Sequence, residues 1–326
     1  MSEASGLWIR AANAAAGILA VVGLCALVWS LTRGRHDEIA TLSGHEDGAF
    51  CLVLSPDGTR IASGGGDGDV RIWDVATLKP KLVMKGHVGR VLSLAWSADG
   101  GTLASGGEDG SVRSWDPSTG DKKQIHTNLP RPIQALAISS DGKLLAAAVE
   151  SWVYSWETDI SRAPKKLRAH RLYISGMTFL PGSHELVTFG TDKAVRFWDL
   201  DSDKQIASLP APTGHCHGLA MTADGKLLAC IGGGLAQLYD LEHRRALEAI
   251  DPHGRTLCGL AFSPDKKLLA LGSEDKVAVI WDLAGKKELA RLHGHSFAVG
   301  PMVFLPDGHT LVTAGYDGTL KLWKVE

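Results

Sequence analysis

The chain lacks the cysteine pattern of a disulfide scaffold. Its five cysteines, Cys25, Cys51, Cys216, Cys230 and Cys258, are scattered over 326 residues with no C-x-x-C pair. An odd, widely spaced set gives no readable disulfide framework and no zinc knuckle. Cys51, Cys230 and Cys258 fall in apolar runs, where a thiol acts as a small hydrophobe. A basic excess is also missing, since the formal net charge is −2. Binding to a polyanion normally needs that excess, so nucleic acid is not an expected partner. There is no G-x-x-x-x-G-K-[ST] phosphate loop, no G-x-S-x-G nucleophile elbow and no H-E-x-x-H. No catalytic residue and no cofactor are therefore expected. Aromatic residues make up only 6% of the chain, yet 10 of them are tryptophan, and glycine reaches 38 residues. One large ring doing a repeated job, among many short strands and tight turns, accounts for that combination. The hydrophobic share of 44% and charged share of 21% are those of a folded globular chain.

One long apolar run is present. No charged residue occurs from 11 to 32, between Arg10 on one side and Arg33 and Arg35 on the other. Twenty-two helical residues would span roughly 33 Å, about one bilayer core. Trp8 and Trp29 sit near the two ends, where indoles favour the water interface. The run is read as an uncleaved transmembrane helix, preceded by a tail at 1–10 and followed by a short linker at 33–37. A cleaved signal peptide is the competing reading, with Val28 and Ser30 framing a site before Leu31 and a secreted or periplasmic product. Arg33, Arg35 and the unpaired thiols tip the orientation toward a cytoplasmic domain.

The remainder is periodic. An aromatic, usually followed by an acid, recurs at Trp73, Trp115, Trp156, Trp198, Tyr239, Trp281 and Trp323, each 41 or 42 residues after the last. Such a period marks a repeat architecture. Each unit holds four strand-like runs. Asp57-Gly58, Asp99-Gly100, Asp141-Gly142, Asp224-Gly225 and Asp307-Gly308 occupy one common turn, because a tight hairpin needs residues that tolerate positive φ. One four-stranded antiparallel sheet per unit gives an all-β fold, a seven-bladed β-propeller over 38–326. The triplets Gly64-Gly65-Gly66 and Gly232-Gly233-Gly234 read as turns between strands, not as phosphate cradles.

These residues resemble the WD-repeat family. Four units carry its full motif, a histidine, a hydroxyl, an aspartate and the aromatic at fixed spacing. They are His45, Ser63, Asp67 and Trp73; His87, Ser105, Asp109 and Trp115; His170, Thr188, Asp192 and Trp198; and His295, Thr313, Asp317 and Trp323. The resemblance implies a buried hydrogen-bonded tetrad in each, so these histidines and aspartates are structural and not catalytic. Units three, five and six depart from it. Unit three has Ala147 at the hydroxyl position and no histidine, unit five has Cys230 and Tyr239, and unit six has Leu271 beside His253, Asp275 and Trp281. The chain ends directly after the third strand of unit seven, and residues 38–42 resemble an outer strand. They are expected to complete the last blade, because a ring tolerates no open seam.

His215-Cys216-His217 places two imidazoles on one side of a strand, but no third ligand is identifiable, so no metal is expected. The face bearing the loops into each inner strand and the turn after each second strand is the expected binding surface. It offers Arg90, Glu108, Tyr173, Arg255, Glu274, Phe297 and Tyr316, with Trp152 in unit three a further candidate. Aromatic and arginine side chains are effective anchors. The expected function is a membrane-tethered, non-catalytic scaffold for protein or peptide partners, with a monomeric propeller. The alternative is an enzyme or small-molecule sensor using the central channel, which would need ionisable groups converging there.

Overall fold

The structure, a computed structural model, describes residues 37–126, 129–130, 132–158, 163–212, 216–252 and 254–325. The tail at 1–10, the apolar run at 11–32 and most of the linker lie outside the described residues. Among the described residues, no helix is long and apolar enough to cross a membrane.

The described chain is all β. Strand β1 (Glu38–Ser43) comes first. Blade 1 follows as β2 (Ala49–Leu54), β3 (Arg60–Gly65), β4 (Asp69–Asp74) and β5 (Lys79–Lys85). Blade 2 is β6 (Val91–Trp96), β7 (Leu103–Gly107), β8 (Val112–Trp115) and β9 (Lys122–His126). Blade 3 is β10 (Ala135–Ile138), β11 (Leu144–Val149), β12 (Trp152–Glu157) and β13 (Lys165–Arg168). Blade 4 is β14 (Ile174–Phe179), β15 (Glu185–Gly190), β16 (Ala194–Asp199) and β17 (Lys204–Pro210). Blade 5 is β18 (Cys216–Met221), β19 (Leu227–Gly232), β20 (Leu235–Asp240) and β21 (Arg245–Ile250). Blade 6 is β22 (Leu257–Phe262), β23 (Leu268–Ser273), β24 (Val277–Asp282) and β25 (Lys287–His293). Blade 7 holds β26 (Val299–Phe304), β27 (Thr310–Gly315) and β28 (Thr319–Lys324), and β1 is its outer strand.

The turns follow from the sequence. Ser55 Oγ donates to Asp57 Oδ1 at 2.5 Å, and the same oxygen accepts the Thr59 N–H at 3.0 Å. These bonds hold the Asp57 carboxyl down at about 2, with the Ser55 hydroxyl the largest cause. Gly58 then takes φ +71°, where a Cβ is disfavoured. The same Ser/Thr-to-Asp bond recurs at Ser97–Asp99, Ser139–Asp141, Thr222–Asp224 and Ser263–Asp265.

The hydrophobic core is radial. Seven clusters of buried residues each join two neighbouring blades, one per seam. Cys51, Ile72 and Met84 of blade 1, for example, meet Leu94, Leu103 and Trp115 of blade 2. The repeating aromatic always fills the seam with the preceding blade: Trp73 lies against blade 7, Trp115 against blade 1 and Tyr239 against blade 4. Fully burying such a side chain contributes about 1.5–3 kcal/mol.

The ring closes through β1. Its backbone runs antiparallel to β28, with Leu42 opposite Leu320 and Thr41 opposite Lys321. Lys321 Nζ donates to both Glu38 oxygens at 2.9 Å and to Thr41 Oγ1 at 2.8 Å. Leu42, 6% exposed, packs in the seam between blades 7 and 1. Leu42→Ala is expected to lower stability in urea unfolding by about 2–4 kcal/mol. Val83→Ala, on the exposed outer strand of blade 1, should stay within about 0.5 kcal/mol. Deletion of residues 38–43 with no change in thermal midpoint would refute this closure.

Candidate functional site

The four complete motifs form four complete polar chains. In blade 1, Trp73 Nε1 donates to Ser63 Oγ at 2.8 Å, and Ser63 Oγ lies 2.8 Å from His45 Nε2. His45 Nδ1 lies 3.0 Å from Asp67 Oδ1. Indole can only donate, so the serine hydroxyl receives that proton and spends its own on Nε2. Nε2 is therefore the acceptor, and Nδ1 carries the ring proton toward the carboxylate. The corresponding His-to-hydroxyl distances in blades 2, 4 and 7 are all 2.8 Å. Their tryptophans donate at 2.8, 3.0 and 2.8 Å.

Each chain ties the loop before an inner strand to the turn after a second strand, which fixes the rim of the propeller. Burial holds the imidazoles of His45, His87, His170 and His295 below their ordinary value, against the pull of the paired aspartates. Burial alone would raise the four carboxyls. Their hydrogen bonds and charged neighbours bring all four below the ordinary carboxylate value, Asp317 to about 2.

Two further residues in each chain escaped the sequence reading. A basic residue two positions before the tryptophan closes the far end. Arg71 donates to Asp67 at 3.1 Å, Arg113 to Asp109 at 3.3 Å and Arg196 to Asp192 at 2.9 Å, while Lys321 turns to Glu38 instead. The second is glycine. A Cβ on Gly65 would stand 2.1 Å from His45 Nδ1, and on Gly107, Gly190 or Gly315 2.3 Å from the matching imidazole. The glycine triplets are thus not simple turns: Gly64 and Gly65 end β3, and Gly232 ends β19. The signal was legible, since a glycine stands two residues before every tetrad aspartate.

Blades 3 and 6 differ at this position too. Blade 3 has Val149 there and no histidine to receive. Blade 6 has Ser273, whose hydroxyl donates to Asp275, and His253 lies outside the described residues. In blade 5 the Tyr239 hydroxyl turns away to donate to the Pro210 carbonyl at 2.8 Å, and Cys230 is fully buried.

Six of the seven inner strands carry a bulge, at residues 49/51, 91/93, 174/176, 216/218, 257/259 and 299/302. The bulge residues Phe50, Leu92, Ser175, Cys258 and Pro301 line a central channel of about 280 Å³ bounded by all seven blades. Among the described residues, its ionisable lining groups are Cys51, Cys258 and Tyr316. Burial pushes all three up, Cys258 to about 11 with help from Glu274 and Asp275. All three are therefore neutral at pH 7, and no carboxylate or imidazole lines the channel among the described residues. Nor do three or more His, Cys, Asp or Glu side chains gather there in a metal-holding group. The side chains of Cys216 and His217, and all of His215, lie outside the described residues.

The rim brings some expected residues together. The Arg90 guanidinium lies over the Phe50 ring at 5.0 Å, and Phe50 meets Tyr316 at 5.1 Å, so one stack crosses blades 2, 1 and 7. Glu108 accepts the Arg90 backbone N–H at 3.2 Å. Lys276 covers Phe297 at 5.9 Å. Phe297 is 62% exposed, Tyr173 55% and Tyr316 41%, which makes them available to a partner. Tyr173 stands on blade 4, while Arg255 and Glu274 are exposed on blade 6. Trp152 is separate, at the start of β12 under Lys166 and Arg168 of β13. Phe50, Val88 and Leu172 were missed; Val88 and Leu172 are 78% and 53% exposed.

Seven four-stranded blades with tetrads beneath a stacked rim define a propeller of the repeat type. The pattern described as "WD domain, G-beta repeat" matches residues 36–74, 78–116, 162–199, 245–282 and 286–324, which is more than half of the chain. The protein belongs to the WD-repeat family. The unmatched stretches 117–161 and 200–244 hold the three inner strands of blades 3 and 5, the two with the weakest tetrads. The chain is 30% identical over 166 residues to small ribosomal subunit protein RACK1y of Oryza sativa subsp. japonica, covering 48% of this chain and 49% of that protein. It is 27% identical to protein FIZZY-RELATED 3 of Arabidopsis thaliana, covering 49% and 34%. It is 26% identical to nuclear distribution protein nudF of Aspergillus niger, covering 52% and 44%. The chain thus matches between a third and a half of the length of these relatives.

The lowered imidazoles set a pH dependence. Unfolded histidine takes up its proton near ~6.5, and the folded tetrads resist it. Below ~6.5 the unfolded chain therefore binds more protons, and stability falls with pH until the folded imidazoles also titrate. The thermal midpoint is expected to drop on going from neutral pH toward 5, with a shallower slope in His45→Asn/His87→Asn. Ser63→Ala strands the indole and imidazole and should cost about 1–3 kcal/mol by urea unfolding.

Proposed function

We propose that this protein is a non-catalytic interaction scaffold whose partner docks on the rim around Arg90, Phe50, Phe297 and Tyr316. The Arg90–Phe50–Tyr316 stack supports this reading most directly. It is a pre-assembled aromatic and cationic surface, held by three blades on tetrads that fix the loops beneath it. Rigid anchors of this kind lose little entropy on binding. Tyr173, Arg255, Glu108 and Glu274 extend the same face around the mouth of the channel.

The tether is part of the proposal. The apolar run at 11–32 is the anchor, and the linker at 33–37 reaches at most ~17 Å, which keeps the propeller close to the bilayer. Arg33 and Arg35, following the run, support a cytoplasmic propeller.

Crosslinking with mass spectrometry in native membranes identifies the partner. Arg90→Ala/Phe297→Ala/Tyr316→Ala is then expected to lose that crosslink while keeping its thermal midpoint. Retention of the partner would move the binding site elsewhere. Extraction of the protein by alkaline carbonate would remove the anchor from the proposal.

A further inference from the structure

The turns between the first and second strands of the blades lie on the face opposite the rim, where neighbouring blades meet turn to turn. Across the seam between blades 5 and 6, Lys266 Nζ donates to Asp224 Oδ2 at 2.5 Å. Across the seam between blades 3 and 4 a histidine makes the corresponding contact, with His184 Nε2 3.1 Å from Asp141 Oδ2. Asp141 and Asp224 stand in the same turn of their blades, and His184 and Lys266 both stand in the matching turn of the next blade. The His184 ring is also held from its other side, where Nδ1 lies 2.8 Å from Asp201 Oδ1 in the turn after β16. The Gly182 N–H donates to Ser140 Oγ at 2.9 Å, so the same two turns are tied a second time.

An imidazole flanked by two carboxylates cannot satisfy both while it is neutral. The neutral ring has one N–H donor and one acceptor nitrogen, and an ionised carboxylate only accepts, so one contact would set lone pair against lone pair. The imidazolium donates to both. Its surroundings favour that form, since Asp199 and Glu185 line the same cleft beside Asp141 and Asp201. Lys143, Arg244 and Lys165 stand at its margins, each on a carboxylate. Lys143 lies 3.6 Å from Asp141, Arg244 of blade 5 lies 2.9 Å from Glu185, and Lys165 lies 3.7 Å from Asp203. The Asp201 carboxylate first, and Asp141 after it, hold the imidazole above its ordinary value against partial burial. Asp141 is itself held well below the usual carboxylate range, chiefly by the Ser139 hydroxyl.

We propose that His184 is a proton-operated clasp between blades 3 and 4, closed on both carboxylates while its ring is protonated and open on one of them once the ring is neutral. Lysine keeps its charge across the range where histidine loses it, so the same contact is fixed in one seam and titratable in the other. The titratable one falls on blade 3, which has Ala147 in place of the tetrad hydroxyl and no histidine in register. Its sign is opposite to that of the tetrads. The clasp contributes fully below the unfolded value of ~6.5, and that contribution is lost as pH rises through the higher folded value. The turns 139–142 and 180–184 therefore loosen on the alkaline side, where the tetrads are at full strength. The clasp lies away from the rim and does not depend on what docks there.

The test uses the full chain in detergent micelles. Ring resonances of isotope-labelled histidine are followed by NMR through a pH titration, with His184 assigned by its loss in His184→Gln. His184 is expected to titrate above ~6.5, and Asp201→Asn to bring its midpoint down. Amide hydrogen exchange, corrected for the intrinsic rate, then reads the seam. Protection of peptides spanning 139–142 and 180–184 is expected to fall at least about threefold between pH ~6 and pH ~9 in the wild-type chain. It should be low at both in His184→Gln and high at both in His184→Lys, which copies the Lys266 contact. Peptides spanning 222–226 and 263–267, across the lysine seam, should keep their protection throughout. A midpoint at or below ~6.5, or an equal midpoint in Asp201→Asn, overturns the protonated bridge. Alkaline loss in His184→Lys as in the wild type, or unchanged protection in His184→Gln, overturns its hold on the seam.

Discussion

Every blade of this protein depends on its neighbours, because no blade has a core of its own. The apolar side chains of each sheet are buried in the two seams beside it, and the seven clusters form a closed circuit. An open ring would expose two apolar sheet faces at once. That is why β1 must cross to β28, 283 residues away at the Glu38–Lys321 contact, before the last seam is complete. The constraint acts on the whole circle, so rigidity at any point of the rim is a property of all seven seams.

The tetrads refine that rigidity locally. Their direction is set by the tryptophan, which has a donor and no acceptor, and the proton order then runs outward to an ionised aspartate. The neighbouring glycine admits the imidazole, and the arginine two residues before the tryptophan meets the aspartate. Where the glycine becomes Ser273, its hydroxyl donates to Asp275, and where it becomes Val149, the side chain packs in the seam between blades 2 and 3. Tyr239 shows the same economy: it fills the space of a tryptophan, while its hydroxyl finds the Pro210 carbonyl.

The departures from the repeat are where surface is released for other work. In blade 3 the channel is lined by Gln134, where blades 1 and 6 have Phe50 and Cys258. Blade 3 lines the channel with Gln134, Ala135 and Leu136 and presents a cationic strand, β13, at the circumference. The rim and this edge are different kinds of surface. One offers exposed rings on fixed loops, and the other offers basic side chains on an outer strand.

The sequence by itself determined the number of blades, the hairpin turns, the tetrad members and the strand that closes the ring. Each of these is a local pattern repeated at a fixed period, and repetition makes a weak signal unmistakable. Ala147, Cys230 and Leu271 likewise announced the imperfect units. The tertiary structure alone decided which side chains meet across seams. Phe50 is an ordinary strand residue until a bulge turns it to the channel mouth, where Arg90 and Tyr316 reach it from two other blades.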